Sequence, residues 1–192
     1  MTHFICTTQS NTMNTKSGVI TLIIHKGEVL FRQGESGPLY HLKSGLLKIC
    51  RLHEDGTQIL VNIITPDEII PHHSLIAPNI YHGTAIALVT CEIEPINNED
   101  WYRSIVQDAK LCQEIALRLQ DKLRMMQQRI DQLTEVTPMN RLIKLQKWFQ
   151  QYIGPSNIRE ILTQEEIGQL IGLRRETVNR LLREQASSTL DN

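Results

Sequence analysis

Arginines and one glutamate cluster near the end of the chain, at positions where one helix could present them together. An arginine offers paired N–H donors that match O6 and N7 of guanine, and a carboxylate can accept a hydrogen bond from N4 of cytosine. Because a carboxylate repels phosphate, a glutamate here suits base reading better than backbone contact. The alternative is a charged helix end that meets only solvent. The candidate DNA-contacting residues are Arg174, Arg175, Glu176, Thr177, Asn179 and Arg180.

The residues around this cluster predict two short helices joined by a tight turn. Thr163 and Glu166 have the spacing of a capping box, which begins the first helix. Gly172 lies where the chain must turn, since glycine adopts the left-handed conformation without strain. Gly168 is small enough for the helices to approach closely. With a second helix over 174–183, the pattern is that of a helix-turn-helix, whose second helix enters the major groove of DNA.

Three histidines form a second group with potential chemistry: His72, His73 and His82. Neutral imidazole binds haem iron, zinc and copper. However, no carboxylate lies between Glu68 and Glu92, and adjacent residues of a strand point to opposite faces. Haem or metal binding is therefore the lesser hypothesis, and a metalloenzyme of the small-barrel type lacks its usual ligand spacing. The other hypothesis is a loop without a ligand, in a protein governed by abundance, a partner or cysteine oxidation.

Cysteine spacing and the chain ends indicate the compartment. Cys6, Cys50, Cys91 and Cys112 are too far apart for a zinc ribbon or a local iron–sulfur cluster, so we expect reduced thiols. Residues 1–18 lack the basic and apolar regions of a signal peptide, and no apolar run approaches bilayer length. We expect a cytoplasmic protein without a membrane partner.

Charge separates the chain into two halves. The net charge of the 192 residues is −1, which argues against a polybasic protein that coats nucleic acid. Residues 1–100 carry a net charge of −4, and residues 101–192 carry +3. All seven histidines lie in the first half and ten of the twelve arginines in the second. The second half is therefore the one expected to meet a polyanion.

The first half reads as short strands separated by turns. Strands are predicted over residues 19–24, 29–31, 40–42, 46–52, 59–64 and 84–93. Asp55-Gly56 between two of them is a strong hairpin signal. Strands at this spacing favour a small antiparallel barrel or roll.

Apolar residues then repeat every three or four positions, which predicts one long helix over 101–133. A small barrel cannot cover such a helix, so its seam favours a second copy of the chain over packing within a monomer. The predicted dimerisation residues are Leu111, Ile115, Leu119, Leu123, Met126 and Ile130. Thr137-Pro138 begins the next helix, which Gly154-Pro155 ends, and residues 158–162 are a candidate strand.

Several motifs together resemble the Crp/Fnr superfamily of transcription regulators, the relatives of the cyclic-AMP receptor protein. KGEVLFRQGESG at 26–37, YHLKSGLLKI at 40–49 and IITPDEI at 63–69 resemble the family's β-roll. RRETVNRLL at 174–182 resembles its recognition helix, and the resemblance assigns base contacts to Arg175, Glu176 and Arg180. It also implies palindromic sites with half-sites of the TGTGA type.

The resemblance implies an α+β fold. This comprises an antiparallel β-roll like those of cupins and cyclic-nucleotide-binding domains, a long dimerisation helix and a helix-turn-helix domain. The expected divisions are a flexible segment at 1–18, the roll at 19–100, the dimerisation helix at 101–136 and the DNA-binding domain at 137–192.

Two departures from the family pattern bear on regulation. Relatives that bind cyclic nucleotides hold the ribose with Gly-Glu and the phosphate with Arg-Ser/Thr-Ala, where this chain has Pro71-His72 and Gly83-Thr84-Ala85. Without the phosphate arginine, we expect no tight cyclic-AMP binding and predict no cofactor. Residues 184–192 are also too few for the family's β-hairpin wing.

The sequence thus predicts a homodimeric, sequence-specific DNA-binding regulator rather than an enzyme, and the resemblance adds RNA polymerase as a partner. The alternative is a β-roll dimer that acts as a protein-interaction module without specific DNA binding.

Overall fold

The computed structural model describes residues 12–16, 19–155 and 157–190. In the first half of this part of the chain, β-branched and apolar segments form the strands. They are β1 (Thr12–Lys16), β2 (Val19–Ile24), β3 (Val29–Phe31), β4 (Leu39–Ser44), β5 (Leu47–Leu52), β6 (Gln58–Ile64), β7 (Ile69–Ile70), β8 (Thr84–Ala87) and β9 (Cys91–Ile96).

These strands form two antiparallel sheets that face each other as a roll. One sheet has the order β1-β2-β9-β4-β7, and the other has the order β3-β8-β5-β6. Alternate residues point inward between the sheets, where Leu42, Leu47, Ile64 and Ile93 are almost completely buried. The predicted α+β fold with an N-terminal roll is confirmed.

The Asp55-Gly56 hairpin joins β5 to β6 as predicted. Gly56 has φ +83°, and its N–H donates to the carbonyl of His53 at 3.0 Å. The carboxylate of Asp55 accepts from the N–H of Thr57 at 2.9 Å. Local turn chemistry therefore sets the register of this strand pair.

One strand prediction needs correction, and part of the N-terminal segment has regular structure. The predicted strand over 84–93 is two strands in different sheets, because the chain crosses from one sheet to the other at 88–90, where no glycine or proline marks the corner. Part of the N-terminal segment expected to be flexible is a strand, β1, which pairs with β2. Residues 1–11 lie outside the described part.

The second half is helical. The helices are α1 (Asn98–Gln107), α2 (Ala109–Leu133), α3 (Pro138–Tyr152), α4 (Ile158–Ile161), α5 (Gln164–Ile171) and α6 (Arg175–Leu190). None of these described helices is long and apolar enough to cross a membrane.

The predicted helix over 101–133 is interrupted at Asp108. This residue has an extended conformation, and its side chain accepts from the N–H groups of Lys110 and Leu111. A short carboxylate can replace intrahelical bonds in this way, so the break needs neither glycine nor proline. α1 therefore ends at Gln107, and α2 begins as a separate helix at Ala109.

The rest of the helical region follows the sequence closely. Thr137 accepts from the N–H of Asn140, and Pro138 is the first residue of α3, as predicted. The candidate strand over 158–162 is instead the helical turn α4, because the side chain of Asn157 accepts from the N–H of Arg159. α6 continues beyond the predicted end at 183, so up to residue 190 the chain is helical rather than a β-hairpin wing.

Candidate nucleic-acid interface

Local capping positions α5. The hydroxyl of Thr163 accepts from the N–H of Glu166 at 3.2 Å, while the carboxylate of Glu166 accepts from the N–H of Thr163 at 2.8 Å. This is the predicted capping box, and it satisfies two donors that the first turn of a helix would otherwise leave unpaired.

Two glycines set the angle between α5 and α6. Gly172 ends α5 with φ +65° and ψ +38°, the left-handed conformation that was predicted. A Cβ on Gly168 would collide with the carbonyl oxygen of Leu173, so only glycine lets the turn lie against α5. The predicted helix-turn-helix is confirmed, with α6 as its second helix.

α6 has one buried face and one charged face. Val178, Leu181 and Leu182 are no more than 5% exposed and pack against α3 and α5. Of the predicted DNA-contacting set, Thr177 and Asn179 are half-buried. The exposed members are Arg174, Arg175, Glu176 and Arg180. Their role in DNA contact stays a prediction.

Arg174 and Arg180 have particular positions in this set. Arg174 precedes the first residue of α6, and its carbonyl accepts from the N–H of Val178 at 3.1 Å. Nη1 of Arg180 lies 2.6 Å from Oε1 of Glu184, one helical turn away. Both of these side chains are about half exposed or more, so this ion pair contributes little stability.

α2 has two apolar faces. The first packs on the roll, where Ile115 is 2% exposed and contacts the cluster of Leu39 and Leu75, with Leu111 beside it. Leu111 and Ile115 belong to the predicted dimerisation set, and their role in dimerisation stays a prediction. Both residues already have partners in their own chain.

The second face of α2 is a stripe that mostly meets solvent, with Leu119 half-buried against the roll at its border. Its members alternate at intervals of four and three residues, the heptad spacing of a two-stranded coiled coil. They are Cys112, Ala116, Leu119, Leu123, Met126, Ile130 and Leu133. Leu123 is 62% exposed and Ile130 is 58% exposed. We call this stripe the α2 seam.

The three histidines line one cavity of the roll, but only two of them contact each other. The rings of His73 and His82 stack with centroids 4.0 Å apart, and Nε2 of His73 lies 2.9 Å from the carbonyl oxygen of Ile80. Burial, together with the charges of His82 and His72, lowers the pKa of His73. His72 turns instead toward Glu68. Among the described residues, no three histidine, cysteine or acidic side chains are arranged to hold a metal ion.

Glu68 is a buried carboxylate at the contact between the roll and α2. Nζ of Lys122 lies 2.6 Å from Oε1 and Nε2 of His72 lies 2.9 Å from Oε2, while Glu68 is only 8% exposed. Burial alone would raise the pKa of Glu68, but His72, Lys122 and Thr65 together lower it to about 2. The sequence did not indicate this cluster, because Glu68 and Lys122 are far apart along the chain.

A cavity of about 260 Å³ opens in the roll. Its lining contains all three histidines and Arg51, a cation that sequence reasoning missed. Gly83 lies beside this cavity. A Cβ there would lie 2.8 Å from Cγ2 of Ile49 and 2.9 Å from the carbonyl oxygen of Cys50. A side chain at this position would therefore displace β5.

Known families match both parts of this architecture. The cyclic nucleotide-binding domain family matches residues 22–108, and the crp family of bacterial regulatory proteins matches residues 161–184, which contain α5 and the first part of α6. A "CRP-like cAMP-activated global transcriptional regulator" of Mycobacterium tuberculosis is 32% identical over 165 residues, covering 82% of this chain and 73% of the relative. The chain therefore belongs to the crp family of bacterial regulatory proteins, which are DNA-binding transcription regulators and not enzymes.

Other relatives agree with this assignment. The "Cyclic AMP receptor protein" of Thermus thermophilus is 29% identical over 160 residues, covering 82% of this chain and 72% of the relative. The structure of FixK2 from Bradyrhizobium japonicum superposes with a TM-score of 0.73 at 17% identity, covering 89% of this chain and 86% of that one. At 17% identity, the similarity to FixK2 shows the fold alone.

Proposed function

We propose that the chain forms a homodimer and reads a palindromic DNA site with the N-terminal half of α6. The observation that carries this proposal is the exposed face of α6. Arg174, Arg175 and Arg180 meet solvent there, while the opposite face of the same helix is buried. Arg175, Glu176 and Arg180 are the proposed base readers, and the first residues of such a helix lie closest to base edges in the major groove.

The α2 seam supports the homodimer. Its heptad spacing fits a second copy of α2, related by a two-fold axis, and the axis matches the symmetry of a palindrome. Each copy would then present one α6 to each half-site. RNA polymerase is the expected further partner of such a regulator, acting in the cytoplasm where bacterial DNA lies.

Cyclic AMP is not the proposed effector, although named relatives respond to it. The supporting observation is Gly83, where an arginine side chain has no room beside Ile49 and Cys50. An isothermal titration with cyclic AMP should show no binding at micromolar concentrations. Micromolar affinity would contradict this part of the proposal.

The test of DNA reading is selection from a random duplex pool, followed by binding of the selected duplex. Arg180→Ala should lower affinity for that duplex about 10- to 100-fold, the cost of one lost bidentate contact. Arg103→Ala removes the same charge from α1 and should bind like the parent. If the parent selects no motif, the protein-interaction module replaces this proposal, and if Arg180→Ala binds equally well, the assignment of α6 as the reader is wrong.

A further inference from the structure

We infer that Lys48, Glu166 and Gln169 are positioning residues for DNA reading, because they dock α5 on the roll and so orient α6. The inference rests on the proposed function, since it concerns how the reader is held. None of the three is a candidate for touching DNA. They act through α5, which is joined to α6 by only three residues.

An ion pair forms the first part of this docking contact. Nζ of Lys48, on β5, lies 2.6 Å from Oε1 of Glu166, and these side chains are only 22% and 14% exposed. The other oxygen of Glu166 accepts from both the N–H and the hydroxyl of Thr163. One carboxylate therefore caps α5 and joins it to the roll at the same time.

Gln169 forms the second part, one helical turn further along α5. Its Oε1 accepts from the N–H of Leu60 at 2.8 Å, and its Nε2 donates to the carbonyl of Gln58 at 3.3 Å. Both partners are backbone groups of β6, one of the two edge strands of its sheet. The side-chain amide of Gln169 has an N–H donor and a carbonyl acceptor, as the backbone of a neighbouring strand has. Gln169 therefore bonds to the backbone groups of β6 that a further strand would otherwise pair with.

Apolar packing lies beside these polar bonds. Leu60 and Ile63 of β6 belong to one buried cluster with Ile167 and Leu170 of α5, and all four are at most 2% exposed. Apolar contact is non-directional, whereas hydrogen bonds and a close ion pair fix orientation. The packing thus holds α5 on the roll, and the three polar residues set its angle.

The docked arrangement leaves the reading face open. Arg174, Arg175 and Arg180 are exposed while α5 contacts the roll, so the contact does not cover the reader. Two α6 helices of a dimer must enter major grooves about one DNA turn apart. Fixing each helix in advance removes an ordering cost that binding would otherwise meet. The docking contact therefore favours binding to two half-sites at once.

The test compares a selected palindrome with a duplex that holds one half-site, using the full-length protein and fluorescence anisotropy. The double variant Lys48→Met/Gln169→Leu should lose about tenfold in affinity for the palindrome, the size of a few lost polar contacts. Its half-site affinity should stay within about twofold, because every reading residue is intact. The single variant Lys48→Arg keeps a cation beside Glu166 and leaves Gln169 native, so it should bind the palindrome like the parent.

Two further measurements separate orientation from damage to the fold. Glu166→Gln keeps an acceptor for the cap but weakens the ion pair, so it should show a smaller palindrome-specific loss. Hydrogen exchange at the Leu60 amide should accelerate in Gln169→Leu. Lys43→Met is the matched control, since Lys43 pairs with Glu94 at 3.7 Å on the roll alone.

Each result of these experiments either supports or overturns the positioning role of Lys48, Glu166 and Gln169. Palindrome binding equal to or tighter than that of the parent, or an equal loss on both duplexes, overturns the positioning role. A parent that selects no duplex overturns the proposed function, and this inference with it. A parent that binds while its variants match it overturns this inference alone.

Discussion

The roll and α6 use charged side chains in opposite ways. In the roll, Glu68 is buried between His72 and Lys122, so its charge is met inside the protein. On α6, Arg174 and Arg175 extend into solvent, opposite an apolar face. We therefore expect substitutions of side chains that point into the protein to change its stability. Substitutions of side chains that point into solvent should instead change its association with partners.

The largest expected effect comes from a substitution in the α2 seam, whose side chains mostly point into solvent. Ile130→Glu places a charge on each side of the two-fold axis, so the dimer should dissociate with little change in thermal stability. Palindrome affinity should then fall about 10²- to 10⁴-fold, the range set by losing a linked second site. Sedimentation velocity and anisotropy measure the two effects.

Leu117→Glu is the control for the seam. Leu117 is 54% exposed on α2 but lies outside the heptad positions. Its variant should remain dimeric. If both variants dissociate equally, or if neither does, the α2 seam is not the dimer interface.

The next effect tests an inward group by acid. The pKa of Glu68 is lowered from 4.5 to about 2 in the folded chain. Its contribution to stability is therefore complete above pH 4.5 and is lost as pH falls through about 2, a change of at most about 3 kcal/mol. Denaturant unfolding at several pH values measures it, and Glu68→Gln should flatten this part of the profile. A variant with the parent's acid profile would show that Glu68 is not coupled to folding.

A smaller effect tests the contact at Gly168. Gly168→Ala should lower the free energy of unfolding by about 1–3 kcal/mol, because the new methyl group meets the carbonyl of Leu173. In an open helix, the same change would stabilise by about 1 kcal/mol. The sign of the measured change therefore decides whether the close approach of the turn to α5 exists.

The smallest effect tests the cap of α5. Thr163→Ala should cost about 1 kcal/mol in unfolding free energy, since the N–H of Glu166 loses its acceptor. Thr163→Ser retains the hydroxyl and should behave like the parent. Equal losses in the two variants would place the effect in packing rather than in the cap.

The helix-turn-helix could be predicted nearly residue by residue, because its signals are local. The capping box at Thr163, the turn at Gly172 and the apolar positions lie within about two dozen residues. The hairpin at Gly56 was predictable for the same reason. Such features depend on backbone conformation and on neighbours three or four positions away.

The structural features that the sequence did not predict depend on contacts between distant segments. Periodicity indicated an apolar face on α2 but not which part of it the roll would cover, so Ile115 was placed in the seam. The break at Asp108 lies within a spacing of six positions between Ile105 and Leu111, which the prediction of one continuous helix overlooked. Lys48 and Glu166 are 118 positions apart, and no local rule relates them.

The β5–β6 hairpin has a consequence for communication within one chain. Ile49 and Arg51 of β5 line the roll cavity, while the alternate residues Lys48 and Cys50 contact the helical region. Adjacent residues of a strand are separated by about 3.3 Å. A displacement of the cavity wall would therefore reach α5 through adjacent residues of one strand, by a route that lies within a single chain.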